Sequence, residues 1–323
     1  MPNAAGSVVA EGLGKRYGEL WALRDVDLNV PRGSVLGLLG HNGAGKTTTL
    51  RILTTLAIPT TGRASVAGFD VVSEAARVRE NIGLTAQQAT VDGLLTARAN
   101  LEMIARLYHM PRAAVKARAS ELLERLGIAD AADRLVKTFS GGMRRRLDLA
   151  ASIVASPPVL FLDEPTTGLD PASRNDLWTL LRELVADGAT LVLTTQYLEE
   201  ADLVADDIVL LDRGRVTAHG TPAELKALIG GARIVVTLAD AANLTRAESA
   251  MLPFTDGAAS LDTEAVQISA PLRGDVRLIE IVRALDGAGI DAVDVHRREP
   301  TLDDVFLTLT GAIGTTGTTE PAI

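Results

Sequence analysis

One stretch of nine residues constrains the fold of this chain more than any other: Gly40-His41-Asn42-Gly43-Ala44-Gly45-Lys46-Thr47-Thr48. It follows the apolar run Val35–Leu39 and fits the pattern G-x-x-x-x-G-K-[ST]. Its glycines let successive backbone N–H groups turn inward around phosphate oxygens without a side chain in the way. Lys46 brings a positive charge to the β- and γ-phosphates, and the Thr47 hydroxyl suits Mg²⁺. The stretch therefore predicts a strand, a phosphate-binding loop and a helix that begins near Lys46.

Composition limits the kind of protein this chain can be. Its 323 residues suit one large domain and one small one, and an apolar content of 47% supplies a buried core. The net charge of −9 argues against nucleic acid as the main partner. The absence of cysteine excludes disulfides and thiolate metal sites and is compatible with the cytosol. No apolar run approaches the ~18 residues of a membrane span, so we expect any membrane-spanning segments to come from another chain.

Hydrophobic patterning predicts a layered α/β architecture. Val26, Leu28 and Val30 alternate with polar residues, which is typical of a half-buried strand in a small antiparallel layer. Between about Leu94 and Lys137 the apolar spacing becomes helical, which predicts a helical insertion. Strands and helices then alternate from residue 159 to residue 211, as in a mostly parallel sheet covered on both faces.

A change of character near Ile229-Gly230-Gly231 predicts a domain boundary. We expect residues 1–230 to form an α/β phosphate-loop NTPase core with an antiparallel β layer and a helical subdomain at about residues 90–145. Residues 231–310 are expected to form a small C-terminal α+β domain. The tail of residues 311–323, rich in Gly and Thr, is expected to be disordered.

Two carboxylates end the apolar run Leu160-Phe161-Leu162-Asp163-Glu164. At the carboxyl end of a parallel strand they are placed to hold Mg²⁺ and an attacking water. Asp163 suits the metal, through a water, and Glu164 suits the general base. The alternative is a pair of acids that starts a loop, which is a weak reading beside a phosphate loop.

Four motifs together resemble the ATP-binding subunit of an ABC transporter. They are the phosphate loop, Ser140-Gly141-Gly142, the run Leu160–Glu164 and Gly168-Leu169-Asp170, in the order of that family. The resemblance covers about residues 8–228 and implies a RecA-like core that binds ATP and Mg²⁺. It further implies that Ser140, Gly141 and Gly142 cap a helix facing the γ-phosphate of ATP on a second subunit, in a head-to-tail homodimer. The alternative for these three residues is a plain helix cap.

The resemblance assigns roles to further residues. Tyr17 matches the aromatic residue that stacks on adenine, although a strand residue facing the core is the alternative. Gln87, rather than the adjacent Gln88, matches the glutamine that touches the metal and relays to the membrane subunit. Asp170 matches the residue that communicates across the dimer. The helical insertion would dock an integral-membrane permease, so the chain is expected at the cytoplasmic face of the cell membrane.

One position departs from the family pattern. Where the family usually has a histidine that touches the γ-phosphate, this chain has Gln196, which can donate a hydrogen bond but cannot carry positive charge. Gln196, the segment Phe139–Met143 and the segment Glu299–Leu307 resemble the daunorubicin-resistance type of drug-efflux ATPase. This resemblance implies an exporter of a drug or another hydrophobic compound.

The leading hypothesis is therefore an ATPase in which Lys46, Glu164 and Gln196 form the catalytic set. A soluble ABC protein acting on ribosomes or DNA is disfavoured by the single cassette and the acidic balance. A nucleotide-gated switch with little hydrolysis, and the ATPase of a lipid, polysaccharide or import system, remain as alternatives. The C-terminal domain is expected to regulate or to stabilise the dimer, against the alternative of an appendage without a role in coupling. The run Arg144-Arg145-Arg146 is expected on a solvated or phosphate-facing helix face.

Overall fold

The chain consists of two units with a boundary between Pro222 and Ala223. The structure, a computed structural model, describes residues 6–85, 90–229, 231–257, 259–274 and 276–309. The boundary lies within the helix Pro222–Leu228, earlier in the chain than the change of composition near residue 230. The predicted tail of residues 311–323 lies outside the described residues.

The described residues of the first unit form two sheets. Its strands, in chain order, are β1 (Val8–Tyr17), β2 (Leu20–Val30), β3 (Val35–Leu39), β4 (Thr61–Val66), β5 (Phe69–Asp70), β6 (Ile82–Thr85), β7 (Val159–Asp163), β8 (Thr190–Thr195), β9 (Asp207–Asp212) and β10 (Arg215–Gly220). One sheet is antiparallel, with the order β2-β1-β4-β5. The other has the order β10-β9-β3-β8-β7-β6, and all of its pairs are parallel except that between β10 and β9.

The first unit also contains helices among its described residues. They are α1 (Lys46–Leu53), α2 (Ala75–Glu80), α3 (Ala97–Leu107), α4 (Arg112–Arg125), α5 (Gly141–Ile153), α6 (Pro171–Ala186), α7 (Leu198–Val204) and α8 (Pro222–Leu228), the last of which crosses the boundary. Helices α3 and α4 form where the helical spacing predicts the insertion. The phosphate-loop α/β core, the antiparallel β layer and the helical insertion are confirmed.

The central strands face two separate cores because side chains alternate along a strand. On β7, Val159 and Phe161 belong to the core shared with the antiparallel sheet and α1. Leu160 and Leu162 belong to the core formed with α3 to α6. Strands β3, β7 and β8 are buried along their whole length, as expected for central strands of a parallel sheet covered on both faces.

The parallel register brings the motifs to one edge of the sheet. Strands β7 and β8 flank one another with Asp163 opposite Thr194, and Leu38 of β3 lies opposite Thr194 on its other side. The chain leaves β3 into the phosphate loop, β7 into Glu164 and β8 into Gln196. All three segments therefore meet at the carboxyl edge, where α/β sheets bind ligands.

The second unit is a four-stranded antiparallel sheet with helices. Its strands are β11 (Arg233–Leu238), β12 (Ser260–Asp262), β13 (Gln267–Pro271) and β14 (Ala292–Arg298), in the order β12-β13-β11-β14. Its helices are α9 (Leu244–Met251), α10 (Leu278–Gly287) and α11 (Leu302–Leu309). Thr301 and Asp304 form a capping box, since the backbone N–H of each donates to the side chain of the other. The predicted α+β character of these residues matches this arrangement.

Candidate nucleotide site

The phosphate loop needs glycine for both conformation and space. Gly40, Gly43 and Gly45 have φ angles of 151°, 86° and 115°. A Cβ on Gly45 would lie 2.6 Å from the Leu23 side chain and 2.9 Å from the carbonyl oxygen of Ala22. Because no other residue avoids both problems, the loop can present its amides inward only with glycine at this position.

Lys46 lies inside the loop rather than on its surface. Only 5% of the residue is exposed, and its ammonium donates to the carbonyl oxygens of Gly40 at 2.6 Å and His41 at 3.2 Å. Burial lowers the pKa of Lys46, while the nearby Glu164 and Asp163 carboxylates act to raise it. The charge thus sits in a poorly hydrated position, where its attraction for phosphate is strong.

Asp163 is held in place by two threonine hydroxyls. Thr194 Oγ1 donates to Asp163 Oδ1 at 2.6 Å, and Thr47 Oγ1 lies 3.4 Å from Asp163 Oδ2. Asp163 is 7% exposed. A hydroxyl and a carboxylate oxygen beside a lysine are hard oxygen ligands of the kind Mg²⁺ prefers.

Glu164 has an unusual backbone conformation. Its φ angle is 48°, in the left-handed region, which costs a residue with a Cβ about 1–2 kcal/mol. The backbone N–H of Glu164 is shared between the carbonyl oxygen and the hydroxyl of Thr194, both at 3.1 Å. Such strain persists only where surrounding contacts hold it, and it concentrates at functional sites.

The three arginines of α5 point to three different groups, which the sequence did not reveal. Arg146 pairs with the exposed Asp176 at 2.7 Å, and Arg144 reaches the Val136 carbonyl oxygen at 3.4 Å. Arg145 turns inward to the segment 163–165 and donates to its backbone carbonyl oxygens. Burial lowers the pKa of Arg145, and nearby carboxylates oppose this effect. The prediction that these arginines lie on a solvated or phosphate-facing helix face is therefore wrong for Arg145, which contacts the protein backbone instead.

The residues Ser140, Gly141 and Gly142 lie at the start of α5. Ser140 is the N-cap and its side chain accepts from the backbone N–H of Met143 at 3.2 Å. Both Ser140 and Gly141 are exposed. A Cβ on Gly142 would lie 3.1 Å from Ser173 Oγ, so this glycine packs closely against the start of α6. An exposed, capped helix N-terminus of this kind suits an anion from outside the chain.

Asp170 caps α6 in the same region. Its carboxylate accepts from the backbone N–H of Ser173 at 2.9 Å and from the Ser173 hydroxyl at 2.8 Å. These hydrogen bonds lower the pKa of Asp170. Asp170 is therefore held near Gly142 by Ser173, and it remains exposed.

The remaining predicted residues have different placements. Tyr17 is 47% exposed at the end of β1, with Lys15 Nζ 5.0 Å from its ring centre, so it does not face the core. Gln196 is exposed directly after β8. Gln87 lies outside the described residues, so its predicted contact with the metal stays a prediction.

Glu200 is a buried residue that the sequence did not single out. It is 2% exposed, and its Oε2 accepts from the hydroxyls of Thr166 at 2.7 Å and Thr195 at 3.1 Å. Its Oε1 lies 3.3 Å from Arg174 Nε. Glu200 thereby ties the segment after Glu164 to the end of β8, next to Gln196.

Asp148 fixes another segment to α5. It is 3% exposed and accepts from the backbone N–H groups of Thr90 at 2.7 Å and Val91 at 3.3 Å, and from the Thr90 hydroxyl. The available sequence signal was an acidic residue between Leu147 and Leu149 in the apolar part of α5, because a carboxylate is rarely buried unless it is paired.

Comparison with known proteins agrees with this geometry. A profile of the ABC transporter family matches residues 23–167. The chain is 53% identical to the daunorubicin resistance ATP-binding protein DrrA3 of Streptomyces coeruleorubidus over 94% of this chain and 96% of that protein. It is 45% identical to the daunorubicin/doxorubicin resistance ATP-binding protein DrrA of Streptomyces peucetius, over 98% and 96% of the two chains.

Solved structures show the same fold. A dimeric ATP-binding cassette in a post-hydrolysis state, bound to ADP and phosphate, is similar to this chain with a TM-score of 0.61 and 28% identity. That likeness covers 66% of this chain and 98% of the other. Within the part of the chain that the structure describes, every helix falls short of the length and apolar character needed to cross a bilayer.

The chain belongs to the ABC transporter family, among its ATP-binding proteins. It binds ATP and is an ATPase of that family, as the sequence motifs predict. ATP-binding subunits of this family dimerise and work with membrane permeases.

Proposed function

We propose that this chain powers the efflux of a drug or another hydrophobic compound through separate permease subunits. The observation that carries the proposal is the extent of the likeness to daunorubicin resistance proteins. It spans 94–98% of this chain, far beyond the family profile at residues 23–167. The similarity to these resistance proteins therefore includes the second unit, which lies outside the family profile.

We assign each predicted site residue a role in binding or hydrolysing ATP. The amides of Asn42 to Thr48 and the ammonium of Lys46 hold the phosphates of ATP. Thr47, Asp163 and Gln87 are proposed to hold Mg²⁺, which when bound neutralises charge on the phosphate oxygens. Glu164 accepts a proton from the attacking water as general base.

Groups from both subunits complete the proposed reaction centre. Tyr17, with its exposed ring, stacks on adenine, and Gln196 donates a hydrogen bond to the γ-phosphate. Ser140, Gly141, Gly142 and Asp170 act on the ATP of the second subunit in a head-to-tail homodimer. The exposed start of α5 supports this arrangement, because it presents capped backbone amides to a ligand from outside the chain.

The helical insertion of α3 and α4 is proposed to dock an integral-membrane permease at the cytoplasmic face of the membrane. Exposed apolar side chains on and near this insertion support a protein contact, among them Met103, Leu107 and Tyr108. Residues 231–310 are proposed as an accessory domain that regulates the dimer or stabilises it. Nucleic acid is not proposed as a partner because the chain carries a net charge of −9.

Transport tests the proposal directly. We expect inside-out vesicles from the source cells to accumulate daunorubicin, followed by its fluorescence, when ATP and Mg²⁺ are added. Uptake should disappear when this chain is deleted and return with the wild-type chain but not with Glu164→Gln. ATP-independent uptake, or uptake that survives the deletion, would contradict a role in daunorubicin efflux and favour another compound or ABC system.

Gln196 distinguishes an active ATPase from a nucleotide-gated switch. We expect Gln196→Ala to lower ATP turnover about two- to tenfold, since one hydrogen bond contributes about 0.5–1.5 kcal/mol. Gln196→His should gain a pH dependence that the wild type lacks, with faster turnover below about pH 6.5, where imidazole is protonated. Turnover of the wild type measured from pH 5.5 to 8.5, with the permease in lipid, provides the reference. A wild type that binds ATP without turnover would establish the switch instead.

A further inference from the structure

We propose that Arg145 is a positioning residue that holds the Glu164 backbone for hydrolysis and, through α5, connects the two ATP sites of the dimer. The inference rests on the proposed function, because it needs the head-to-tail arrangement. Its basis is a set of contacts within one chain, between α5 and the segment 163–165.

The guanidinium of Arg145 serves three consecutive carbonyl oxygens. Arg145 Nη2 donates to Asp163 O at 3.1 Å and to Glu164 O at 2.9 Å, and Arg145 Nε donates to Pro165 O at 2.8 Å. The planar guanidinium offers donors in a fixed fork, so it can hold several backbone acceptors from one position. These three acceptors are backbone carbonyl oxygens without formal charge, so the contacts fix a backbone path.

That path is the strained one. Glu164 has a φ angle of 48°, and its N–H is already held by Thr194. Arg145 holds the carbonyl side of the same residue. The two contacts bracket Glu164, so its left-handed conformation is fixed from both ends, and this conformation sets the direction of its side chain.

The helix that carries Arg145 also carries the groups proposed for the opposite ATP. Gly142 and the N-cap Ser140 lie within about one and a half turns before Arg145. In a head-to-tail dimer, Glu164 acts on one nucleotide while Ser140 of the same chain acts on the other. Movement of the start of α5 toward the second nucleotide is therefore transmitted by Arg145 to Glu164 at the first.

Substitution of Arg145 by lysine tests whether the planar guanidinium is needed, because it keeps the positive charge. Arg145→Lys keeps a cation but replaces the rigid planar fork by a single ammonium on a flexible stem. Arg146→Lys is a matched control on the next residue, where an exposed Asp176 can accept from either side chain. Arg145→Gln provides a second, uncharged variant.

Full-length protein with its permease in lipid is assayed for ATP turnover, ATP binding and thermal stability. For Arg145→Lys we expect kcat to fall about tenfold and the ATP dissociation constant to stay within about twofold, because 1.4 kcal/mol of lost positioning corresponds to a factor of ten. The Hill coefficient for ATP should fall from above one to about one. Arg146→Lys should behave as wild type in all three respects.

The outcomes separate the possibilities. Equal loss of kcat in the two lysine variants, or a fall in kcat matched by loss of folded, ATP-binding protein in Arg145→Lys and Arg145→Gln, would overturn the positioning role. A Hill coefficient of one in the wild type would overturn the connection between sites. Failure of the wild type to hydrolyse ATP would refute the proposed function itself, whereas an active wild type with an unaffected Arg145→Lys would refute only this inference.

Discussion

We expect Glu164→Gln to lower ATP turnover at least about 100-fold, because general-base catalysis contributes about 10²–10⁴-fold and the amide cannot accept the proton of water. ATP affinity should change little, since Glu164 is not among the groups that hold the phosphates. Nucleotide binding by fluorescent ATP and turnover by phosphate release measure the two properties on the same preparation.

Glu183→Gln is the matched control for this experiment. It makes the same chemical change at an exposed carboxylate of α6, which lies 3.4 Å from Arg125. Its turnover should equal that of the wild type. If Glu164→Gln kept most of its turnover, Glu164 would not be the base, and another group would have to activate the water.

The second large effect is expected at Lys46. Lys46→Met should weaken ATP binding by about tenfold to 100-fold or more, because a hydrogen bond to a charged group contributes about 1.5–3 kcal/mol. The stabilisation of the fold by ATP should shrink in parallel, since it depends on the ratio of ATP concentration to dissociation constant. Without nucleotide, the melting temperature should shift only slightly, because the buried ammonium is itself costly, as its lowered pKa shows.

Melting curves at a series of ATP concentrations measure both effects for Lys46→Met. Lys116→Met, at an exposed position of α4, controls for the loss of a lysine elsewhere. A variant that keeps the full ATP-dependent shift would show that Lys46 does not contact the phosphates. A large fall in the melting temperature without ATP would instead show that Lys46 mainly stabilises the loop.

The elements around the site were predictable because their signals are local. The apolar run before Gly40 and the apolar run before Asp163 each specify a buried strand that ends in polar residues, and both strands are present. The helix from Pro171 to Ala186 carries two local signals, a proline at its start and a regular apolar stripe. Short helices such as Ala75–Glu80 lack enough turns to show a period.

The contacts that support the site residues were not predictable, because they join residues that are far apart in the sequence. Thr194 meets Asp163 across 31 positions of sequence, and Glu200 meets Thr166 across 34. These pairs depend on which strands become neighbours, and no local pattern encodes that. Arg145 lies in an ordinary basic run, so only the fold distinguishes it from Arg144 and Arg146.

The placement of Asp148 three residues after Arg145 gives α5 a mechanical property. The two side chains lie on one face of the helix, one turn apart. Arg145 donates hydrogen bonds to the segment that contains the general base Glu164. Asp148 accepts hydrogen bonds from Thr90 and Val91, which follow Gln87 in the sequence. A helix is stiff over this length, so α5 is expected to move as a rigid body when its exposed N-terminus moves. We therefore expect a displacement of Ser140 to move the segment 163–165 together with Thr90 and Val91.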